Sequence, residues 1–169
     1  MTWRVATIDD DDAIVVMCLQ LNAEDPGPRP VVAEQVRRTL ATLRQEPIRG
    51  RAQVLEIDGR PAGYALLISF WSNELGGEMC TVDELFILPP HRNQGHASAL
   101  LERLAAGLDD CSRSAVAIAL EVTPANQRAW RLYERLGFIG ANRTGSPEAA
   151  TCSAVVLPSS PSSVRRRAR

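Results

Sequence analysis

Residues 85–101, LFILPPHRNQGHASALL, limit the fold of this chain more than any other stretch. An apolar run stops at Pro89-Pro90 and a polar segment with one glycine comes next. From Ala97 onward, apolar side chains recur at Leu100, Leu101, Leu104, Ala105 and Leu108. That is the i, i+3, i+4, i+7 spacing of an amphipathic helix. The segment therefore predicts a strand, a Pro-marked turn, a short loop and a helix, which places the chain among the mixed α/β folds. It also leaves N–H groups without helix bonds at the helix mouth, where they and the helix dipole favour an anion, phosphate above all.

A chain of 169 residues fits one domain with a core of its own. Its 45% apolar and 23% charged residues are ordinary for a soluble globular protein. No apolar run approaches the ~20 residues of a membrane span. The start, MTWRVATIDDDD, lacks the basic and apolar regions of a secretory signal, so a cytoplasmic location without membrane contact is expected. Cys18, Cys80, Cys111 and Cys152 lie far apart with no C-x-x-C spacing. Reduced thiols are expected rather than a disulfide framework or a metal site. Net charge is −1, and four arginines fall among the last five residues. The rest of the chain is therefore mildly acidic, which argues against nucleic-acid binding by the folded part and favours a cationic partner.

The pattern along the chain predicts a helix over 11–24 behind the acidic Asp9–Asp12, a breaker cluster DPGPRP, and a helix over 32–45. Strand-like runs at 52–57 and 62–70 flank Asp58-Gly59, a tight-turn pair. A loop over 71–77 leads to a strand over 79–88. Beyond the central helix come a strand over 115–122, a turn at 123–125, a helix over 126–136 ended by Gly137, and closing strands at 138–141 and 151–157. From Pro158 the chain is rich in Ser, Pro and Arg and is expected to be disordered. The expected organisation is one domain over residues 1–157 and a tail over 158–169. Its fold is α/β (α+β), with a mixed, partly antiparallel sheet of six to seven strands flanked by helices. The strand–helix–strand unit over 79–122 predicts a parallel pair.

Two motifs carry a resemblance. Arg92-Asn93-Gln94-Gly95-His96-Ala97 reads R-x-x-G-x-A, and Asn126 to Phe138, NQRAWRLYERLGF, reads N-x-x-A-x-x-L-Y-x-x-x-G-F. The first resembles the pyrophosphate loop of the GNAT superfamily of acyl-CoA-dependent N-acyltransferases, with Ala97 in the permitted place of a second glycine. The second resembles that family's later helix at every motif position. The resemblance implies the family's fold and an N-acetyltransferase that moves an acetyl group from acetyl-CoA to a primary amine by direct attack in a ternary complex.

The resemblance also implies residue roles. Arg92, Asn93, Gln94, Gly95, His96, Ala97 and Ser98 would surround the diphosphate, with Gly95 letting the backbone approach it. Arg92 either contacts a phosphate or fixes the loop. The strand holding Leu85, Phe86 and Ile87 would splay from its neighbour and pair with the pantetheine amides like an added strand. An N–H near Ile87 would polarise the thioester carbonyl. Asn126 would lie near the pantetheine arm, and Tyr133 would act as acid on the departing thiolate. His91 and His96 are expected to be exposed loop residues.

Asp83 and Glu84 are the candidate bases. An alkyl amine with a pKa of about 10 is mostly protonated at neutral pH and must lose a proton before attack. A carboxylate takes that proton directly or through water. Adjacent strand residues face opposite sides, so only one faces the site unless a bulge intervenes; Glu84 is preferred for reach. Glu121 is a further candidate to face the substrate, and Trp71, Asn73 and Glu74 are expected at the acceptor rim. The rival readings are a non-catalytic acetyl-CoA-binding sensor, another acyl donor, or an oxygen acceptor. Intact Tyr133 and a full phosphate loop count against the sensor. The acceptor stays open among small amines, aminoglycosides, polyamines, amino acids and proteins. A homodimer is compatible with the family.

Overall fold

The computed structural model describes residues 2–27, 29–123 and 126–139, with the backbone of residues 152–153 and 157–158. Five strands of regular length, β1 (Thr2–Val5), β2 (Gly50–Ile57), β3 (Arg60–Ser72), β4 (Gly77–Ile87) and β5 (Ala117–Val122), lie in the order β1-β2-β3-β4-β5. All neighbours are antiparallel except β4 and β5, which are parallel as the intervening helix requires. The helices are α1 (Asp11–Glu24), α2 (Ala33–Gln45), α3 (His96–Ala105) and α4 (Gln127–Arg135).

The β2–β3 hairpin closes where the sequence places it. Asp58 and Gly59 both have left-handed φ, 50° and 73°. They form a two-residue loop between the paired Ile57 and Arg60, the geometry that suits the twist of the flanking strands.

The sheet separates two apolar layers. Ile14, Cys18, Leu40, Val54, Tyr64, Leu66 and Phe86 pack between it and α1 and α2. Trp3, Leu55, Leu67, Cys80, Val82, Leu100, Leu101, Leu104, Leu120 and Phe138 pack on the other face. Each fully buried leucine contributes about 1.5–3 kcal/mol, so Leu100, Leu101 and Leu104 pin α3 firmly and with it the loop at its mouth.

Several expected boundaries move. The second helix begins at Ala33. The loop over 71–77 shrinks to the turn 73–76, because β3 runs to Ser72 and β4 starts at Gly77. Strand β1 has no counterpart in the expectations, since four residues carry too little pattern and the strand exists by adding to the edge of β2. Phe138 and Ile139 are not in a strand, and residues 140–141 lie outside the described residues. The expected closing strand over 151–157 is represented by two-residue pairings of Cys152–Ser153 and Leu157–Pro158 with β5. Beyond Pro158, the tail lies outside the described residues.

The acidic run before α1 is engaged by arginines. Asp10 accepts two bonds from Arg4, at 2.7 and 2.9 Å, and is also bound by the Thr7 N–H and hydroxyl at 2.8 and 3.1 Å. Asp11 takes both arms of Arg44 at 2.7 Å, and Asp12 takes Arg37 at 2.9 Å. Among the described residues, no group of three His, Cys, Asp or Glu side chains could hold a metal.

Asp10 is 4% exposed, and the Arg4 guanidinium holds its carboxyl pKa down to about 2. Asp10→Ala should cost about 2–3 kcal/mol at neutral pH, measured by urea melts, since it strips charged bonds from a buried site. A depressed folded-state pKa gives stability that is present above the ordinary value near 3.8 and lost as pH falls through about 2. The difference between wild type and variant should therefore shrink in that window.

Candidate active site

The site begins with one extra residue in β4. Leu67 pairs with Val82 and Leu66 with Glu84, leaving Asp83 as a bulge. A bulge bends its strand and re-aims the residues beyond it. Before it, Cys80 and Val82 face the α3 side of the sheet. After it, Glu84 and Phe86 face the α1 side, whereas Leu85 and Ile87 face the α3 side. The parallel ladder to β5 ends at the same place: its last pair is Val82 with Leu120, while β4 continues to Ile87. The two strands therefore part, as the family resemblance implies.

The Leu88 N–H bonds to Ala62 O at 2.9 Å, so antiparallel alternation turns the main chains of Phe86 and Glu84 toward β3. The polar groups of Leu85 and Ile87 are turned to the gap. Ile87 O is taken there by Arg92 Nε at 2.7 Å.

A cleft of about 860 Å³ opens from this gap, within the range of sites for large ligands. One wall is the loop into α3. Asn93 and Gly95 have left-handed φ of 63° and 82°. Among the described residues, the N–H groups of residues 93–98 find no protein acceptor. Successive N–H groups in such a turn form a concave anion-binding nest. Ala97 and Ser98 complete the first helical turn, and the Gln94 side chain bonds to Pro90 O at 3.1 Å.

Arg92 fixes this loop. Besides Ile87 O, its guanidinium binds Glu24 Oε1 at 2.8 Å and lies 5.1 Å from the Phe86 ring centroid. Of the two expected roles, its bonds within the protein match the second.

His96 is not an exposed loop residue: it is 4% exposed. As the first residue of α3 it is drawn under the helix beside β1, and its carbonyl accepts the Trp3 indole N–H at 2.9 Å. Its Nε2 is buried without a partner among the described residues, and burial lowers its pKa. His91 is half-buried and lines the cleft.

The other wall is α4. Asn126 caps it by accepting the Ala129 N–H at 3.1 Å. Tyr133 is half-buried in the cleft lining, with its ring 5.9 Å from Phe138. Its hydroxyl has no partner among the described residues, and burial pushes its pKa up to about 12.

Asp83 and Glu84 do not line this cleft. Glu84 is half-buried on the α1 side, where it accepts the Tyr64 hydroxyl at 2.8 Å and faces Cys18 Sγ at 3.6 Å. Burial raises its pKa, with the Asp83 charge adding to the rise and the two donors opposing it. Asp83 has an exposed side chain, yet the protein around it still raises its pKa by desolvation. Glu121 is exposed at the end of β5. Trp71, Asn73 and Glu74 sit at or beside the far hairpin end of β3 and β4, with Trp71 paired to Glu78, and none lines the cleft.

Sequence reasoning missed Tyr64 and Cys18 as partners of Glu84. It also missed Leu21 and Glu24, by which α1 reaches the cleft, and Arg128, Arg131 and Arg135 on α4. Of these, only the arginines leave a readable trace, a spacing of three and four residues.

The sequence pattern of the acetyltransferase (GNAT) family matches residues 17–138. The chain belongs to this family. Over 88 residues it is 35% identical to an uncharacterized N-acetyltransferase of Mycobacterium tuberculosis, a stretch that makes up 52% of each protein. The chain thus spans about half the length of that curated relative. An acetyltransferase from Thermus thermophilus superimposes with a TM-score of 0.70 at 25% identity, covering 94% of this chain and 97% of that one. Naa50 of Arabidopsis thaliana, solved with the bisubstrate analogue CoA-Ac-MVNAL, has a TM-score of 0.61 at 16% identity, covering 92% and 95%, a likeness of fold alone. Among the described residues, no helix is long and apolar enough to cross a membrane.

Proposed function

We propose that the chain transfers an acetyl group from acetyl-CoA to a primary amine by direct attack in a ternary complex, with residues 1–157 as the catalytic domain and the cytoplasm as its place of work. One observation carries the reading. Among the described residues, a single cleft joins a nest of unpaired N–H groups at residues 93–98 to the main chain of Leu85 and the N–H of Ile87, and then to the unpartnered hydroxyl of Tyr133. A coenzyme A thioester has the matching sequence of groups: a diphosphate, an arm with two amides and a sulfur. The nest would hold the diphosphate. Leu85 and Ile87 would pair with the arm, and the amide side chain of Asn126 would reach it. The Naa50 complex supports the same donor chemistry on this fold.

Glu84 lies across β4 from the cleft, which suits an amine arriving from the side opposite the thioester. The carboxylate, directly or through water, takes a proton from the ammonium. The free amine then attacks the thioester carbonyl, the C–S bond breaks, and the amine nitrogen gives up its second proton, so that an amide and, once the departing thiolate takes that proton, the coenzyme thiol form. Tyr133 meets that sulfur as a hydrogen-bond donor. With its pKa near 12 against about 8.5 for a thiol, full proton transfer to the thiolate is uphill, so the bond stabilises developing charge and the net proton comes from the amine.

Tyr133→Phe should therefore lower turnover about tenfold, the value of one such bond, and leave acetyl-CoA affinity unchanged. Steady-state kinetics beside equilibrium binding separates the two, and wild-type turnover in the variant would remove Tyr133 from the reaction. The reading as a whole is tested by following thiol release with acetyl-CoA and a panel of amines. Binding of acetyl-CoA with no turnover on any amine, even at alkaline pH, would overturn it in favour of a sensor.

A further inference from the structure

Helix α4 carries an arrangement of charge that its own fold does not use. Arg128, Arg131 and Arg135 are exposed, and all three line the cleft. Spacings of three and four residues stack them on one helical face, roughly one per turn. No carboxylate or other acceptor engages any of them among the described residues. Eight other arginines, by contrast, are each paired with an Asp or Glu. The one acidic residue of α4, Glu134, is turned away, accepting the Trp130 indole N–H at 2.8 Å. Like charges at these spacings repel, so the stack is unfavourable until an anion joins it.

The opposite wall already offers its N–H nest to one anionic group. The cleft thus has two separate sets of anion-binding groups, one of main-chain amides and one of guanidinium side chains. Coenzyme A has two separate phosphate groups to match: the diphosphate and a monoester on the ribose 3′ oxygen.

Resting on the donor proposed above, we infer that Arg128, Arg131 and Arg135 form a second subsite that binds the ribose 3′-phosphate. The enzyme then distinguishes coenzyme A thioesters from those lacking that group. A phosphomonoester presents several oxygens to forked guanidinium donors, and such charge-assisted bonds are strong and directional. The position inside the cleft favours a small ligand over the acidic surface of a macromolecule, which would meet an outward face.

Equilibrium binding of coenzyme A and 3′-dephospho-coenzyme A tests this. Wild type should bind coenzyme A about 10- to 100-fold more tightly. The double variant Arg131→Gln/Arg135→Gln should lose most of that preference while keeping its affinity for the dephospho form, which also reports that the fold is intact. Coenzyme A binding should also depend less on salt in the variant. Equal wild-type affinities for the two nucleotides, or equal losses for both in the variant, would overturn the subsite and leave the donor reading standing. Unchanged affinities in the variant would overturn it too and reassign the face to a macromolecular acidic surface. If neither nucleotide bound wild type, the donor reading itself would fall and the subsite with it.

Discussion

Gly95→Val should abolish measurable coenzyme A binding while leaving the protein folded. Gly95 has a φ of 82° and, among the described residues, no heavy atom within 4 Å of where a Cβ would stand. The protein therefore has room for the side chain. The cost to the fold is the left-handed backbone, about 1–2 kcal/mol for an L-residue and more when β-branched. The cost to binding is larger, because the added carbons project into the cleft that Gly95 lines, where the anion would sit. Losing two charge-assisted bonds at about 1.5–3 kcal/mol each weakens affinity by roughly 10²- to 10⁴-fold. Calorimetric titration should show this loss beside a drop in melting temperature of only a few degrees. Tight binding by the variant would place the diphosphate elsewhere.

Glu84→Gln should lower turnover by about 10²-fold or more at neutral pH, the range for a positioned general base, and should change the shape of the pH profile. Burial raises the Glu84 pKa above its usual 4.5. A group with a raised pKa is still protonated at pH values where an ordinary glutamate is ionised. The wild-type rate should thus rise with pH through an acid limb displaced upward from 4.5. In the glutamine variant that limb vanishes and the rate follows the free amine alone, climbing tenfold per pH unit up to about 10. The Tyr64 and Cys18 donors can be satisfied by an amide oxygen, so the variant should remain folded. An unaltered rate and profile would transfer the role to Asp83 or to water.

The parts of the site that reside in local sequence were legible. The loop with unpaired N–H groups at the mouth of α3 follows from a strand, a proline pair and one glycine before a leucine-periodic helix, and helix α4 from its spacing. The features that need three dimensions were not. The bulge at Asp83 exists only against β3, and it reverses the facing of Glu84, so no pattern within β4 gives the result. His96 is polar in a polar loop, yet β1 and Trp3 close over it, and β1 itself becomes a strand only by joining β2. Trp71 reads from the sequence as part of a loop near the acceptor; two extra strand residues carry it to the far end of the hairpin. The arginines of α4 are readable as a spacing, but in a chain whose basic residues are all arginine they do not stand out.

The parting of β4 from β5 makes a slot whose sides are strands. Whatever slides into it meets walls already held by the rest of the sheet, so little freedom is lost on entry compared with ordering a loop. The groups it offers at Leu85 and Ile87 belong to the peptide backbone and are the same for almost any side chain. Over generations such a slot should tolerate exchange of the residues that line it, yet a single residue gained or lost between Val82 and Glu84 would shut it.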